Sequence, residues 1–426
     1  NKENSFMEGE EMKRKLSILL CGTLAAGMLT ACGGKKEMTG SETNAKSTGE
    51  EETVTIWHDG DEAIMGVIED TVNKKIADEN VSIKFEKKTG LTDQLKLYGN
   101  DQANGPDMYL YAHDSLGMLA EMGILAPVTD FISADDEADL LPMTVEAGTY
   151  KDTQYVLPLY YESLLFIYNK DLWKGALPKT TDDLLSYMKE NTDVDAGTYA
   201  VVNQHSTAYN VAPVINGFDG YIIDKDAKPG LDDANTIKAV EYNKKFAELM
   251  GEGDYDTCNT LFNEQKAQAI IGGPWLVSGI KDAGINYGIC SLADFTLPNG
   301  KSLAPYSGVQ GVGILKYAEE NKKDAITSVL KALCSTETGV ALAKESNCAP
   351  ANQEAYKDEE VAANEMIMAM KTTAESAEPM PNIPQMSVMW GPAESMLAAV
   401  NKSGEDVEAS AEKYQEEAEA AIADMQ

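Results

Sequence analysis

Four carboxylates and five aromatic residues stand where their side chains could reach a ligand. Asp59 and Asp61 follow the strand-like run 53–57, Asp114 follows the run 108–111, and Glu162 interrupts an apolar stretch from 155 to 173. Tyr111, Tyr209, Tyr255, Trp275 and Trp390 all fall near expected turns or element starts. Singly, any of them is more often core packing. As a set they describe a sugar site, with carboxylates to accept two neighbouring hydroxyls and flat rings for the C–H faces of pyranoses. A pair of carboxylates roughly 5 to 9.5 Å apart is also the equipment of a glycoside hydrolase, so binding and hydrolysis both follow from these residue types.

The elements that must position them read as α/β. Residues 53–57 alternate as a strand. Ala63, Ile64, Val67, Ile68, Val72 and Ile76 recur at helical spacing, and 81–85 is a second strand, which makes a βαβ opening. His58, Asp59, Gly60, Asp61 and Glu62 lie between strand and helix, at the carboxyl end where open sheets hold ligands. Asp61 could equally be a plain helix cap. In the stretch 155–173, Pro158 cannot donate to a ladder, so the chain is expected to leave one sheet there and enter another after Glu162. A buried carboxylate in such a run must be paired or face a cleft, which places Glu162 at a hinge. Beyond it, Gln204 to Tyr209 is a polar loop after a strand, and Gly272, Gly273 and Pro274 precede Trp275 at another strand end. Trp57 and Trp173, inside apolar runs, read as core.

The front of the chain reads differently. Lys13, Arg14 and Lys15, the apolar run 16–29, and Leu29-Thr30-Ala31-Cys32 have the order of a secretory signal. That run is shorter than the ~20 residues of a spanning helix. Residues 1–11 precede an expected start at Met12, and 33–52 is a polar, flexible tether. The first 31 residues carry four bases and four acids, so the remainder keeps the net charge of −35 and has no arginine once Arg14 is gone. Nucleic acid is repelled by that field, and anionic ligands lose their usual bidentate partner. A neutral or cationic small ligand remains. Cys258, Cys290, Cys334 and Cys348 fit no metal-binding spacing and read as buried free thiols, although an extracytoplasmic location permits disulfides. His58, His113 and His205 are unclustered; the first two precede acids at strand ends, where a structural hydrogen bond is the expected role. A metal- or peptide-binding role is the weakest reading, and no metal or cofactor is implied.

Several stretches resemble the periplasmic or lipid-anchored maltose/maltodextrin-binding proteins of ABC importers. They are Gly105-Pro106-Asp107 with Ala112-His113-Asp114, the run from Glu162 to Leu172, Phe262-Asn263-Glu264 with Gly273-Pro274-Trp275, Asn286-Tyr287-Gly288, and the run from Met380 to Ser387 with Trp390. Leu-Thr-Ala before Cys32 resembles a lipobox, which implies a palmitate-bearing lipoprotein held on the outer face of the cell membrane. The resemblance implies a two-lobed periplasmic-binding-protein-like fold (type II) with a three-segment hinge. Its crossings would lie near 159–164, 305–310 and 358–368, with an N-lobe of 53–160 plus 308–362 and a C-lobe of 161–307 plus 363–426. It implies Asp61, Asp114 and Glu162 as hydroxyl-binding acids and Tyr209, Tyr255, Trp275 and Trp390 as stacking rings. Asp59 stands where the family often has Asn, and Tyr111 where the best-known pattern has Trp. Glu62 replaces a Lys, Ser115 an Arg, Thr207 a Glu, Gly391 a Tyr and Glu394 an Arg, so the cationic donors at the ends of the site are missing.

The expectation is a monomeric, lipid-anchored solute-binding protein, not an enzyme. It would capture malto-oligosaccharides and dock on the permease subunits of an ABC transporter. Another neutral oligosaccharide as ligand, and a glycoside hydrolase, are the alternatives.

Overall fold

Residues 51–250 and 253–425 are described by the computed structural model. The leader, Cys32 and the tether before residue 51 lie outside the described residues. The strands in chain order are β1 (Glu52–His58), β2 (Val81–Lys87), β3 (Met108–Ala112), β4 (Leu125–Ala126), β5 (Thr149–Tyr150), β6 (Thr153–Gln154) and β7 (Val156–Ser163). They continue as β8 (Leu165–Asn169), β9 (Tyr199–Val202), β10 (Ala267–Gly272), β11 (Tyr287–Ser291), β12 (Tyr306–Leu315), β13 (Ala349–Pro350) and β14 (Glu378–Pro379).

Alternating Val54 and Ile56 point into a core and set β1 between two parallel neighbours, β2 and β3. The crossover helix Glu62–Lys75 buries Met65, Ile68 and Val72 against them. The long antiparallel pair β7 and β12 completes an eight-stranded sheet in the order β13-β7-β12-β3-β1-β2, with β4 and β14 also on β12. A second sheet runs β11-β8-β10-β9. Mixed sheets covered by helices make this an α/β chain of the two-lobed, periplasmic-binding-protein-like kind.

The passage between the sheets differs in detail from the sequence expectation. The chain does not leave the first sheet at Pro158: β7 runs unbroken to Ser163, and the change falls at buried Leu164. Pro158 is accommodated by a register shift opposite Gln310 and Gly311 of β12, where the irregular ladder tolerates a missing donor. The strand β1 also opens at Glu52, the last residue assigned to the tether, pairing with Val81.

The helices Ala234–Met250, Met386–Lys402 and Val407–Ala423 pack through Val240, Met396, Leu397, Val400 and Ala411. Trp57 and Trp173 are core residues, edge-on to Tyr98 at 6.0 Å and stacked on Tyr187 at 4.1 Å respectively. Cys258, Cys290, Cys334 and Cys348 are free thiols, and Cys290 is the only one of them not fully buried. Among the described residues no helix is long and apolar enough to cross a membrane, and no group of acids, histidines and cysteines could hold a metal.

Candidate functional site

Glu162 lies on β7 with its neighbours in the ladder on both sides. Across β12 it pairs with Gly308. On the other side the last pairs are Ala349 with Tyr161 and Pro350 with Tyr160, which brings Cys348 level with Glu162. A Cβ added to Gly308 would meet no atom within 4 Å, so open space lies beside the acid. Burial holds the Glu162 carboxyl above the usual carboxylate range, and no cation among the described residues opposes the shift.

The surrounding groups register that charge. Burial first, then the Glu162 and Asp61 charges, push the Cys348 thiol up to about 12. The Tyr160 hydroxyl, on the same strand face as Glu162, is raised by burial and then by Cys348, Glu162, Asp61 and Asp59. The Tyr209 hydroxyl is raised by burial and by Glu162. Acids from the turn after β1, the β7 acid Glu162 and a ring from the helix Ala208–Gly217 therefore share one electrostatic neighbourhood.

Asp61 is the N-cap of the helix Glu62–Lys75, with Oδ1 accepting from the Ala63 N–H at 2.7 Å. One oxygen is thus committed to the helix, while the charge still reaches Tyr160 and Cys348. Asp59 is exposed, its carboxyl raised by partial desolvation and held down in part by a hydrogen bond from Tyr111. Tyr111, near the end of β3, is raised mainly by burial and also feels Asp59 and Asp114. Asp114 is exposed on the turn His113–Ser115.

His113 ties this turn to β12 and to Met380. The Val309 N–H donates to Nδ1 at 3.0 Å, so Nε2 carries the proton and donates to the Met380 carbonyl at 2.8 Å. The structural hydrogen bond expected of this residue is present. His58, also buried, lies 3.8 Å from the exposed Glu62 carboxylate and edge-on to Phe85.

The segment from Met380 to Pro384 is pinned to the helices Leu116–Glu121 and Pro142–Ala147 and to β5. Asn382 donates to the carbonyls of Ala147 (3.1 Å) and Thr149 (2.8 Å), and its own carbonyl accepts from the Gly117 N–H at 2.8 Å. A Cβ at Gly117 would come 2.3 Å from that carbonyl, so only glycine permits the approach. This segment leads into the helix Met386–Lys402, where half-buried Trp390 packs in the same cluster as Tyr209, Met380 and Ile383.

Tyr255 and Trp275 stand apart. They are 47% and 42% exposed, and among the described residues no ring contact joins them to Tyr209 or Trp390. Tyr255 begins the helix Tyr255–Asn263, capped by Asp254. Trp275 occupies the turn Pro274–Leu276, with its ring 2.1 Å from where a Cβ at Gly273 would lie, which explains the glycine.

Some contributors carried no sequence signal. Gly308, Cys348 and Tyr160 are placed beside Glu162 by strand register alone. Glu394 sends Oε1 to within 3.4 Å of the Ala208 N–H, at the start of the helix Ala208–Gly217 that carries Tyr209, where Thr207 supplies no side-chain cap.

The family model of the bacterial extracellular solute-binding proteins matches residues 70–369. The chain belongs to this family. Over 373 residues it is 31% identical to a maltotriose-binding protein of Pyrococcus abyssi, covering 85% of this chain and 81% of that protein. It is 32% identical to a maltooligosaccharide ABC transporter solute-binding lipoprotein of Streptococcus pneumoniae serotype 4, covering 90% and 91%. The structure of a maltose-binding periplasmic protein from Listeria monocytogenes in complex with maltose superposes with a TM-score of 0.78 at 25% identity, over 89% of this chain and all of that one. These acids accordingly sit in a member of an extracellular solute-binding family, not in a hydrolase.

Proposed function

We propose that this solute-binding protein captures malto-oligosaccharides between two lobes and delivers them to the permease of an ABC transporter. The observation that carries the reading is the convergence on Glu162: Asp59 and Asp61 from the turn after β1, Tyr160 from β7 and Tyr209 from the helix Ala208–Gly217, around open space at Gly308. Relatives named for maltotriose and maltooligosaccharide support the sugar class.

On this reading the N-lobe comprises 53–160 with 308–362 and the C-lobe 161–307 with 363–426. Asp59, Asp61, Asp114 and Glu162 take sugar hydroxyls, while Tyr111, Tyr209 and Trp390 cover ring faces. Closure of the lobes brings exposed Tyr255 and Trp275 onto the ligand, which favours the closed form because it binds that form better. The protein acts as a monomer, tethered to the cell membrane through lipid on Cys32; the lipoprotein name of the streptococcal relative supports the anchor.

Titration with maltotriose while following tryptophan fluorescence tests this, with xylotriose as the matched control. A saturable change with maltotriose alone is the expected result. A response to xylotriose alone would assign the cleft to another neutral oligosaccharide, and reducing ends released from maltotetraose would return the chain to the hydrolases.

A further inference from the structure

The loop 203–207 that leads to the helix of Tyr209 is held at His205 by one ring bond and two bonds to its main-chain carbonyl. His205 is 7% exposed, and its Nδ1 lies 2.9 Å from Asn243 Oδ1. The orientation of that amide is fixed by its other end, because Asn243 Nδ2 donates to the His205 carbonyl at 3.0 Å. An amide oxygen only accepts, so Nδ1 holds the proton and Nε2 is a lone-pair acceptor. Burial, opposed only by the Asn243 bond, pushes the imidazole pKa down to about 4, which agrees with a neutral ring.

The same carbonyl accepts from Asn401 Nδ2 at 2.7 Å. Asn243 belongs to the helix Ala234–Met250, and Asn401 to the helix Met386–Lys402 that also carries Trp390. One residue of the loop is therefore clamped to two helices, four positions before Tyr209. The ring lies over Phe246 at 6.4 Å. Nε2 is buried and has no hydrogen-bond donor among the described residues. His205 lines a cavity of about 40 Å³ whose wall is mainly apolar, with Asn203, Asn210, Thr181 and Tyr242 among its few polar members. A volume of roughly 10–15 Å³ on this measure already admits a water.

We propose that His205 is a positioning residue for Tyr209, its imidazole orienting the Asn243 amide that, beside Asn401, holds the main-chain carbonyl of the loop, and that an internal water in the cavity completes it by donating to Nε2. The role assigned to Tyr209 rests on the function proposed above, while the clamp and the water do not.

The experiment measures maltotriose affinity for the wild type, His205→Leu and His205→Asn, each with and without Tyr209→Ala. His205→Leu should weaken binding about tenfold when Tyr209 is present and less than about twofold in the Tyr209→Ala background, because coupled residues are non-additive. His205→Asn keeps an N–H near the Nδ1 position and should stay within about threefold of wild type, since the clamp bond survives. Equal losses from His205→Leu in both backgrounds would overturn the proposal. Two readouts on the ligand-free protein are independent of the sugar. The ¹⁵N resonances of His205 should show an unprotonated Nε2 and a protonated Nδ1, and the Tyr209 and Asn210 amides should exchange faster in His205→Leu than in His205→Asn. A protonated Nε2 or unchanged exchange overturns the clamp even if maltotriose binds. Absence of maltotriose binding by the wild type, with both readouts as expected, overturns the proposed function and leaves the clamp standing.

Discussion

Glu162 and Gly308 face each other across the β7–β12 ladder, and the glycine leaves room that any side chain would occupy. The carboxylate is therefore half-buried among its strand neighbours and open toward one side. Gly308→Ala should keep the melting temperature or raise it slightly, since replacing glycine in a strand interior with alanine is worth roughly 0.5–1 kcal/mol where space permits. Gly308→Leu should weaken maltotriose binding at least about tenfold, the equivalent of ~1.4 kcal/mol. Calorimetric titration beside a thermal scan separates the two effects; a parallel fall in both would mean that the space belongs to the core.

Glu162→Gln tests the acid itself. Its folded pKa lies above the unfolded value because burial disfavours the charge, so the unfolded chain gives up this proton first as pH rises. The group therefore lowers stability as pH climbs through the ordinary carboxylate range, and its penalty is absent below it. The ligand-free Glu162→Gln protein should melt higher than wild type at pH 7, with the difference closing as pH falls toward 4. Maltotriose affinity should drop about ten- to a hundredfold, the size of one charge-assisted hydrogen bond at ~1.5–3 kcal/mol. A lower melting temperature at pH 7 would show that the carboxylate is paired instead.

His113 carries the opposite pH sign. Burial is the main cause that lowers its pKa, so the unfolded chain takes up a proton first as pH falls below the usual histidine range, and stability declines in that direction. His113→Leu would leave the Val309 N–H and the Met380 carbonyl without their partner. A loss of about 2–4 kcal/mol in urea unfolding is expected from two unsatisfied buried groups. The acid-side slope between pH 7 and 5 should flatten in the same variant.

These relationships were unequally visible in the sequence. The opening βαβ unit was legible because alternation in 53–57 and helical spacing from Ile64 to Val72 are local signals. Asp59, Asp61 and Tyr111 stand near strand ends and so could be singled out. Pro158 misled the reading of the bend, because a single proline can be absorbed by a register shift in the partner strand. Gly308 and Cys348 were invisible for a deeper reason: their places beside Glu162 depend on which strands pair and in what register, and neither is encoded in neighbouring residues. His205 gave no local sign that its partners would be Asn243 and Asn401.

Glu394 shows what a sequence departure can mean once folded. Its carboxylate approaches the Ala208 N–H at the start of the Tyr209 helix, where negative charge is favoured by the helix dipole. Glu394→Arg would place a cation against that helix start and remove the acceptor, for a loss of about 1–2 kcal/mol. Adding Thr207→Glu supplies a carboxylate at the N-cap and a partner for the new guanidinium, so the double variant should regain part of that loss. Urea unfolding of the four proteins gives the coupling directly. Simple additivity would mean that the two positions do not meet at this helix end, and that Glu394 acts on Tyr209 by packing alone.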